Sequence, residues 1–333
     1  MPEDKSPAPP GPADIAEAAA RIAPYIETTP LLSSPEVDAR LGFNLLIKAE
    51  SLQRTGSFKF RGALNALLSL DADSRQRGVV AYSSGNHAQG VAAAAQLLGL
   101  PAVIVMPHDA PAIKAANTKA YGAEIVFYDR YKESREDIAR RLSSERGAAL
   151  IPPYDDARVI AGQGTAGREL AAQAAVLGMK LDIVLAPCSG GGLVTGVALA
   201  VKAASPETAV YAAEPETVDD MRRSLAAGRI LANDPAARSI CDCLLAPQPG
   251  VIPFAIARRL LDGGLAASDG QTCRAMAVAF ADYKLVLEPG GAVALAVALA
   301  RKEEWRGKKV AVLASGGNVD NETFKAALAR AAA

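Results

Sequence analysis

The sequence predicts an α/β protein whose parallel sheets are covered by helices, and three observations carry that prediction. From residue 78 onward, short runs rich in β-branched residues alternate with longer alanine-rich amphipathic stretches, the pattern of strand–helix–strand units. The chain has 333 residues, more than one compact core ordinarily serves, which argues for two domains or one large layered one. Half of the residues are apolar, enough to enclose a buried site.

The elements follow in order. Residues 1–13 are dominated by Pro, Ser and charge and read as a disordered tail; Asp14 then caps the helix that begins "IAEAAARIAPYI". "TGSFKFRG" (55–62) reads as a loop, with Lys59 between Phe58 and Phe60. Strands are predicted over 78–84, 101–107, 123–129 and 148–155, with helices over 86–99, 110–122 and 130–147 between them. A helix over 161–177, a strand over 181–190, a helix from Gly191, a strand over 208–215, a strand over 308–318 and a helix from Asp320 complete the run. This pattern divides the chain into a small domain, 81–155, set into a larger one made of 14–80 and 156–333.

Composition narrows the function. The 36 basic residues offset 36 acidic ones, so no charge field draws in nucleic acid or an anionic membrane, and a small molecule is the expected partner. The apolar "GAVALAVALA" (291–300) is well short of the roughly 20 residues of a membrane span, and the composition reads as cytoplasmic. The four cysteines, Cys188, Cys241, Cys243 and Cys273, have neither disulfide-framework nor zinc spacing and read as ordinary thiols. With only His87 and His108, a histidine-rich metal centre is excluded.

In open parallel sheets ligands bind where strands end and the chain turns into the next helix. "SSGNH" (83–87) is such a turn: Ser83, Ser84, Gly85, Asn86 and His87 present backbone N–H groups and a helix N-terminus to one point, an anion site. "SGGGL" (189–193) is another, in which Ser189, Gly190, Gly191, Gly192 and Leu193 let backbone approach a phosphate closely. No Gly-Lys-Ser/Thr follows it, and no clear dinucleotide fingerprint opens the first βαβ unit, so a compact phosphate fits better than a nucleotide. Two more turns expose Ser315, in "SGGN", and Glu288, at the head of an apolar helix. An amine held beside aromatic rings is desolvated, which lowers its pKa and makes it nucleophilic toward a carbonyl. Lys59 beside a phosphate cradle therefore suits pyridoxal 5'-phosphate, an aldehyde with a phosphate tail.

"TGSFKFRGA", "SSGNHAQG", "SGGG" and "SGGN", in this order, resemble the fold-type II pyridoxal-phosphate enzymes, with the two-domain fold of the tryptophan synthase β-like group; within them the similarity is to serine/threonine dehydratases and serine racemase. The resemblance implies Lys59 as the Schiff-base lysine, Phe58 on the cofactor ring, Asn86 on its 3'-hydroxyl, Ser189 to Leu193 around the phosphate, Glu288 beside the cofactor and Ser315 at the pyridine nitrogen. A neutral serine there suits β-elimination better than transamination. The implied activity is dehydration and deamination of L-threonine or L-serine to a 2-oxoacid and ammonia, with the substrate carboxylate on residues 83–87 and Lys59 removing the α-proton. Ser84 matches the second acid/base of the family's racemases, which keeps serine racemase and 3-hydroxyaspartate ammonia-lyase open; a protein holding the cofactor without turnover is the reading from another class. Glu214, the Val218 carbonyl and Asp220 match the ligands of a Mg2+ or Ca2+ site, and the resemblance implies a homodimer or homotetramer. Isoleucine feedback is not expected, because the chain runs only 15 residues past Asn318.

Overall fold

The computed structural model describes residues 8–332, in which ten strands form two sheets. The larger sheet has the order β1-β2-β10-β7-β8-β9, with β1 Leu31–Leu32, β2 Asn44–Lys48, β7 Ile183–Pro187, β8 Ala209–Pro215, β9 Gly263–Ala267 and β10 Lys309–Leu313. Its pairs are parallel except β1 with β2. The smaller sheet, β5-β4-β3-β6, is parallel throughout and is built from β3 Val79–Tyr82, β4 Ala102–Pro107, β5 Glu124–Tyr128 and β6 Ala149–Leu150.

Parallel sheets are buried on both faces, so their strands read as unbroken apolar runs rather than as alternating ones. β10 illustrates the sorting: Val310 and Val312 enter the core under the Pro289–Ala300 helix, while Ala311 and Leu313 enter the opposite core with Val184 and Ala186. The period of two puts neighbours in different cores although every one of them is apolar.

Several expectations need correction. The first helix starts at Pro12 with Gly11 as its N-cap, and Asp14 instead accepts the Gly11 N–H (2.7 Å) from inside the first turn. Of the expected tail 1–13, residues 1–7 lie outside the described residues and Pro12 and Ala13 are helical. The predicted strand 148–155 stops after Leu150, because Pro152 and Pro153 have no N–H for a ladder. The predicted loop 55–62 is a short turn followed by the Lys59–Leu68 helix, with Lys59 its first residue. Thr55 (φ 63°) and Gly56 (φ 72°) are both left-handed and swing the chain into that helix.

A buried ionic cluster fixes the same helix. Arg61 donates to Glu50 (2.7 and 2.8 Å) and to Glu169 (2.6 and 2.9 Å). Lys48 donates to Glu169 (2.7 Å) and to the Thr29 carbonyl (2.7 Å). Lys48, Glu50 and Arg61 are fully buried, so each charge is held in place by its partners.

Candidate active site

One cavity brings together Lys59 with Phe58, the turn of Ser83 to His87, the glycine loop from Ser189 to Leu193, and Ser315. The four segments come from different parts of the chain and meet at the ends of β3, β7 and β10 and at the start of the Lys59–Leu68 helix. Glu288 is 1 % exposed and reaches the cavity through Asn86 and Lys114. Glu214, Val218 and Asp220 lie apart from it, at the end of β8.

The Lys59 ammonium donates to the Pro153 carbonyl (2.6 Å) and lies 5.2 Å from the centre of the Phe58 ring. Burial brings its pKa down to about 8, against a small opposing pull from Cys243. The expected sandwich between two rings is absent: Phe60, one helix position on, points into the core under the smaller sheet. Gly90 lets the Asn86–Leu98 helix come close, since a Cβ there would stand 3.1 Å from the Lys59 carbonyl carbon.

The glycine loop opens the Gly192–Ala204 helix. Among the described residues its first N–H to find an acceptor is that of Thr195, on the Gly191 carbonyl (3.1 Å), which leaves the preceding amides open to an anion. Gly191 has φ +95°, and a Cβ on it would press on Met221 and Pro253 at 2.7 and 2.8 Å, so only glycine suits the position. Ser189 lines the cavity with the glycines, and its hydroxyl accepts the Ala246 N–H (3.1 Å), which ties the loop to the segment before the Val251–Leu260 helix.

In the 83–87 turn the Ser83 N–H is taken by the Val105 carbonyl (3.0 Å) and the Gly85 N–H by the Ser83 hydroxyl (3.1 Å). The Ser84 amide and those of Asn86 and His87, in the first turn of the helix, have no partner among the described residues; they are the open donors. The Asn86 side chain is held from both sides, donating to Glu288 and accepting from Asn318 Nδ2 (2.9 Å). The Ser315 hydroxyl makes no hydrogen bond among the described residues and lines the cavity.

Four further residues shape the site that sequence reasoning did not mark. Lys114 is 2 % exposed and pairs with Glu288 (3.1 Å) and Asp242 (2.8 Å). Burial opposes its charge, but those two carboxylates outweigh it and hold the ammonium well above its ordinary pKa. Asp242, Cys243 and Glu288 gather their ligand atoms within 4.8 Å, and the Lys114 ammonium already pairs with both carboxylates. Tyr154 lies against Gly190, and Arg135 lies over the Tyr82 ring at 5.4 Å; both line the cavity. A lysine in a helical "AIKAAN" or an arginine in a charged helix carries no local signal of such a role.

Glu214 and Asp220 are fully buried. Glu214 accepts the Met221 and Arg222 N–H groups (2.9 and 2.8 Å), which caps the Asp220–Ala227 helix. Asp220 Oδ1 accepts from Asn233 (2.6 Å), whereas its Oδ2 has no partner among the described residues. Burial, then the neighbouring Asp220 carboxylate, push the Glu214 carboxyl well above its usual range, and burial pushes Asp220 up to about 6. Two buried carboxylates, one with an unpartnered oxygen, fit a hard divalent cation.

A parallel two-sheet frame with a desolvated lysine facing a glycine cradle defines a class, and comparison with known proteins agrees with it. The model of the pyridoxal-phosphate dependent enzymes matches residues 22–316, and the chain belongs to that family, with its fold-type II architecture. It is 45% identical over 312 residues to an L-threo-3-hydroxyaspartate ammonia-lyase of Saccharomyces cerevisiae, covering 93% of this chain and 94% of the relative. It is 43% identical over 311 residues to a serine racemase of Oryza sativa subsp. indica, covering 92% and 90%. Among solved structures, a threonine deaminase from T.th. superposes with a TM-score of 0.88 at 49% identity, covering 93% of this chain and 99% of that one. The open amides of the glycine loop and the lowered pKa of Lys59 fit pyridoxal phosphate at its phosphate and its aldehyde.

Proposed function

We propose that this protein is a pyridoxal-phosphate-dependent ammonia-lyase for L-3-hydroxy amino acids: the substrate loses its α-proton and β-hydroxyl as water, and the released enamine, as its imine tautomer, takes up water to give a 2-oxoacid and ammonia. What supports it is one juxtaposition: the desolvated Lys59 amine shares a cavity with an anion cradle and with the open amides of Ser84, Asn86 and His87. The amides of Gly190 to Leu193 would hold the phosphate, Phe58 and Asn86 the ring, and Ser315 its nitrogen. Bound there, the cofactor supplies an electron sink for charge left at the substrate α-carbon. The turn at 84–87 receives the substrate carboxylate, Lys59 Nζ takes the α-proton, and the Pro153 carbonyl keeps that nitrogen in place.

Threonine or serine is the substrate implied by the sequence motifs, but Arg135 favours L-threo-3-hydroxyaspartate. Its Nε donates to Glu136 (2.8 Å), while both Nη groups have no partner among the described residues at the cavity wall. A second carboxylate on the substrate would satisfy them. A panel of L-threo-3-hydroxyaspartate, L-threonine and L-serine assayed for 2-oxoacid tests this. Arg135→Leu is expected to lower kcat/KM for 3-hydroxyaspartate about 10- to 100-fold, the loss of a charged hydrogen-bond pair, with threonine changed less than about threefold. Equal losses on both would return the assignment to threonine and serine.

The Ser84 hydroxyl, which lines the cavity and makes no hydrogen bond among the described residues, supports racemisation as the second reading; chiral analysis of serine tests it, and absence of D-serine removes it. A protein that only stores the cofactor would be yellow and release no 2-oxoacid.

The same reading places Mg2+ or Ca2+ on Glu214, the Val218 carbonyl and Asp220. In EDTA, Asp220→Asn is expected to melt at or above the wild type, because it relieves two buried like charges. With Mg2+ the wild type gains stability and the variant does not. Wild-type melting that is indifferent to both additions rules the ion out. The reading also takes the chain as a cytoplasmic homodimer or homotetramer, and sedimentation equilibrium tests the assembly.

A further inference from the structure

The chain carries as many acidic as basic residues, yet the wall of the cavity does not share that balance. Its lining includes four basic side chains, Lys59, Lys114, Arg130 and Arg135, and one carboxylate, Asp242. Lys114 is paired with Asp242 and Glu288 (2.8 and 3.1 Å), and burial disfavours the charge on Lys59. The positive charge that remains to meet a substrate is that of two guanidiniums, Arg130 and Arg135.

Both belong to the turn that follows β5. Asp129 organises it: its side chain accepts the Tyr131 N–H (2.9 Å), its carbonyl accepts those of Lys132 and Glu133 (3.1 and 2.9 Å), and its own N–H goes to the Glu133 carboxylate (2.7 Å). Ser134 then caps the Arg135–Arg146 helix. The end of β4 is drawn alongside by the His108 N–H on the Tyr128 carbonyl (3.0 Å) and by the His108 ring stacked on Phe127, 5.4 Å between centres. That sets Asp109 against Arg130. Its Oδ1 accepts from Nε (2.8 Å) and lies 2.7 Å from Nη2, while Nη1 has no partner among the described residues. Arg130 is exposed and also lines the cavity, so it stands at the mouth, whereas Asp109 is outside the lining.

We infer that Arg130 steers dicarboxylate amino acids into the cavity and that Asp109 sets the strength of that pull. The inference rests on 3-hydroxyaspartate being the substrate, and it adds a residue that acts without touching it. L-threo-3-hydroxyaspartate has two carboxylates and one ammonium, hence one net negative charge, whereas threonine and serine are neutral zwitterions. A net charge responds to the field of a cleft with low-dielectric walls, while a zwitterion is pulled and pushed almost equally. Arg135 receives the second carboxylate by direct bonds, and Arg130 raises the local concentration of the anion ahead of it. The effect belongs in KM, weakens with salt and leaves kcat alone, because the field acts before the chemistry.

Arg130→Gln and Asp109→Asn separate a field from a brace. Each breaks the same exposed ion pair, so a structural role would move both variants in one direction, whereas the field predicts opposite directions. With L-threo-3-hydroxyaspartate at low ionic strength, Arg130→Gln should raise KM about three- to fivefold and Asp109→Asn should lower it by about as much, with kcat within about twofold of the wild type. In about 0.5 M salt, where the screening length falls to about 4 Å, both differences should shrink below about 1.5-fold. L-Threonine should show neither shift. Succinate, a dicarboxylate without an amine, is titrated as a competitive inhibitor of whichever hydroxy amino acid the holoenzyme turns over, and its inhibition constant should move in the same two directions. Shifts of one sign in both variants, or shifts that survive high salt, overturn the inference. Absence of 2-oxoacid from 3-hydroxyaspartate would remove the substrate reading instead, and the succinate constants would still decide the role of Arg130.

Discussion

At the scale of single residues, the site is organised around the free energy of one charge. Lys59 Nζ has a carbonyl and an aromatic face beside it and, among the described residues, no carboxylate within hydrogen-bond reach, so burial dominates and the ammonium is disfavoured. Its pKa of about 8 sets a pH profile with a definite sign. The neutral amine is the nucleophile, so capture of pyridoxal phosphate by the apoprotein should speed up as pH rises and level off above about 8. An ordinary lysine would go on gaining to about 10.4. Stopped-flow rates between pH 6 and pH 10 distinguish the two, and a plateau displaced to the higher value would mean that the amine is solvated. The motif's aromatic residues pointed to this desolvation, but only Phe58 contributes. Neighbours on a helix are about 100° apart, so Phe60 belongs to another surface, and a stretch punctuated by Gly56 and Gly62 hides the helix that makes this so.

At the scale of elements, the Lys59–Leu68 helix is positioned by charge as much as by apolar packing. Arg61 is buried between Glu50 and Glu169, and Arg61→Met removes a cation while leaving Glu50 with its charge and without its partner. The expected cost is about 3–5 kcal/mol, read as a lower midpoint in urea unfolding; a loss below about 1 kcal/mol would show that Lys48 alone suffices. Elements with strong periodicity were legible in the chain, as the β3, β4, β5, β7, β8 and β10 runs with their alanine-rich helices show. β9 was not: "GGLAA" has two glycines and no β-branched residue, and its neighbour β8 rather than its own propensity makes it a strand. β2, "NLLIK", is a short apolar run that periodicity cannot tell from a helical segment.

For the whole molecule, the rule that parallel strands deliver their ligands' partners at their carboxyl ends makes much of the cavity legible in the sequence. Turns at 83–87, 189–193 and 315 could be nominated from small residues after apolar runs. Lys114 and Asp242 could not, because what unites them is the approach of the two sheets and not any spacing along the chain. Lys114 extends from the Ala112–Ala120 helix beside the smaller sheet to Glu288 and Asp242 on the larger side. Lys114→Met should therefore destabilise by about 3–5 kcal/mol. Adding Glu288→Gln should return part of that loss, since the stranded charge goes with it. Strict additivity in that double-mutant cycle would mean the pair does not join the halves.

The shortest strand has a consequence for how copies of the protein can meet. β1 is two residues long, runs against its neighbour and follows Pro30, so that flank offers almost no free peptide groups for a strand from another molecule. Growth of the sheet across that border, the route to fibrils and swapped strands, is blunted by the backbone alone. Any stable association on that side has to be built from side chains, where a single surface substitution can dissolve it.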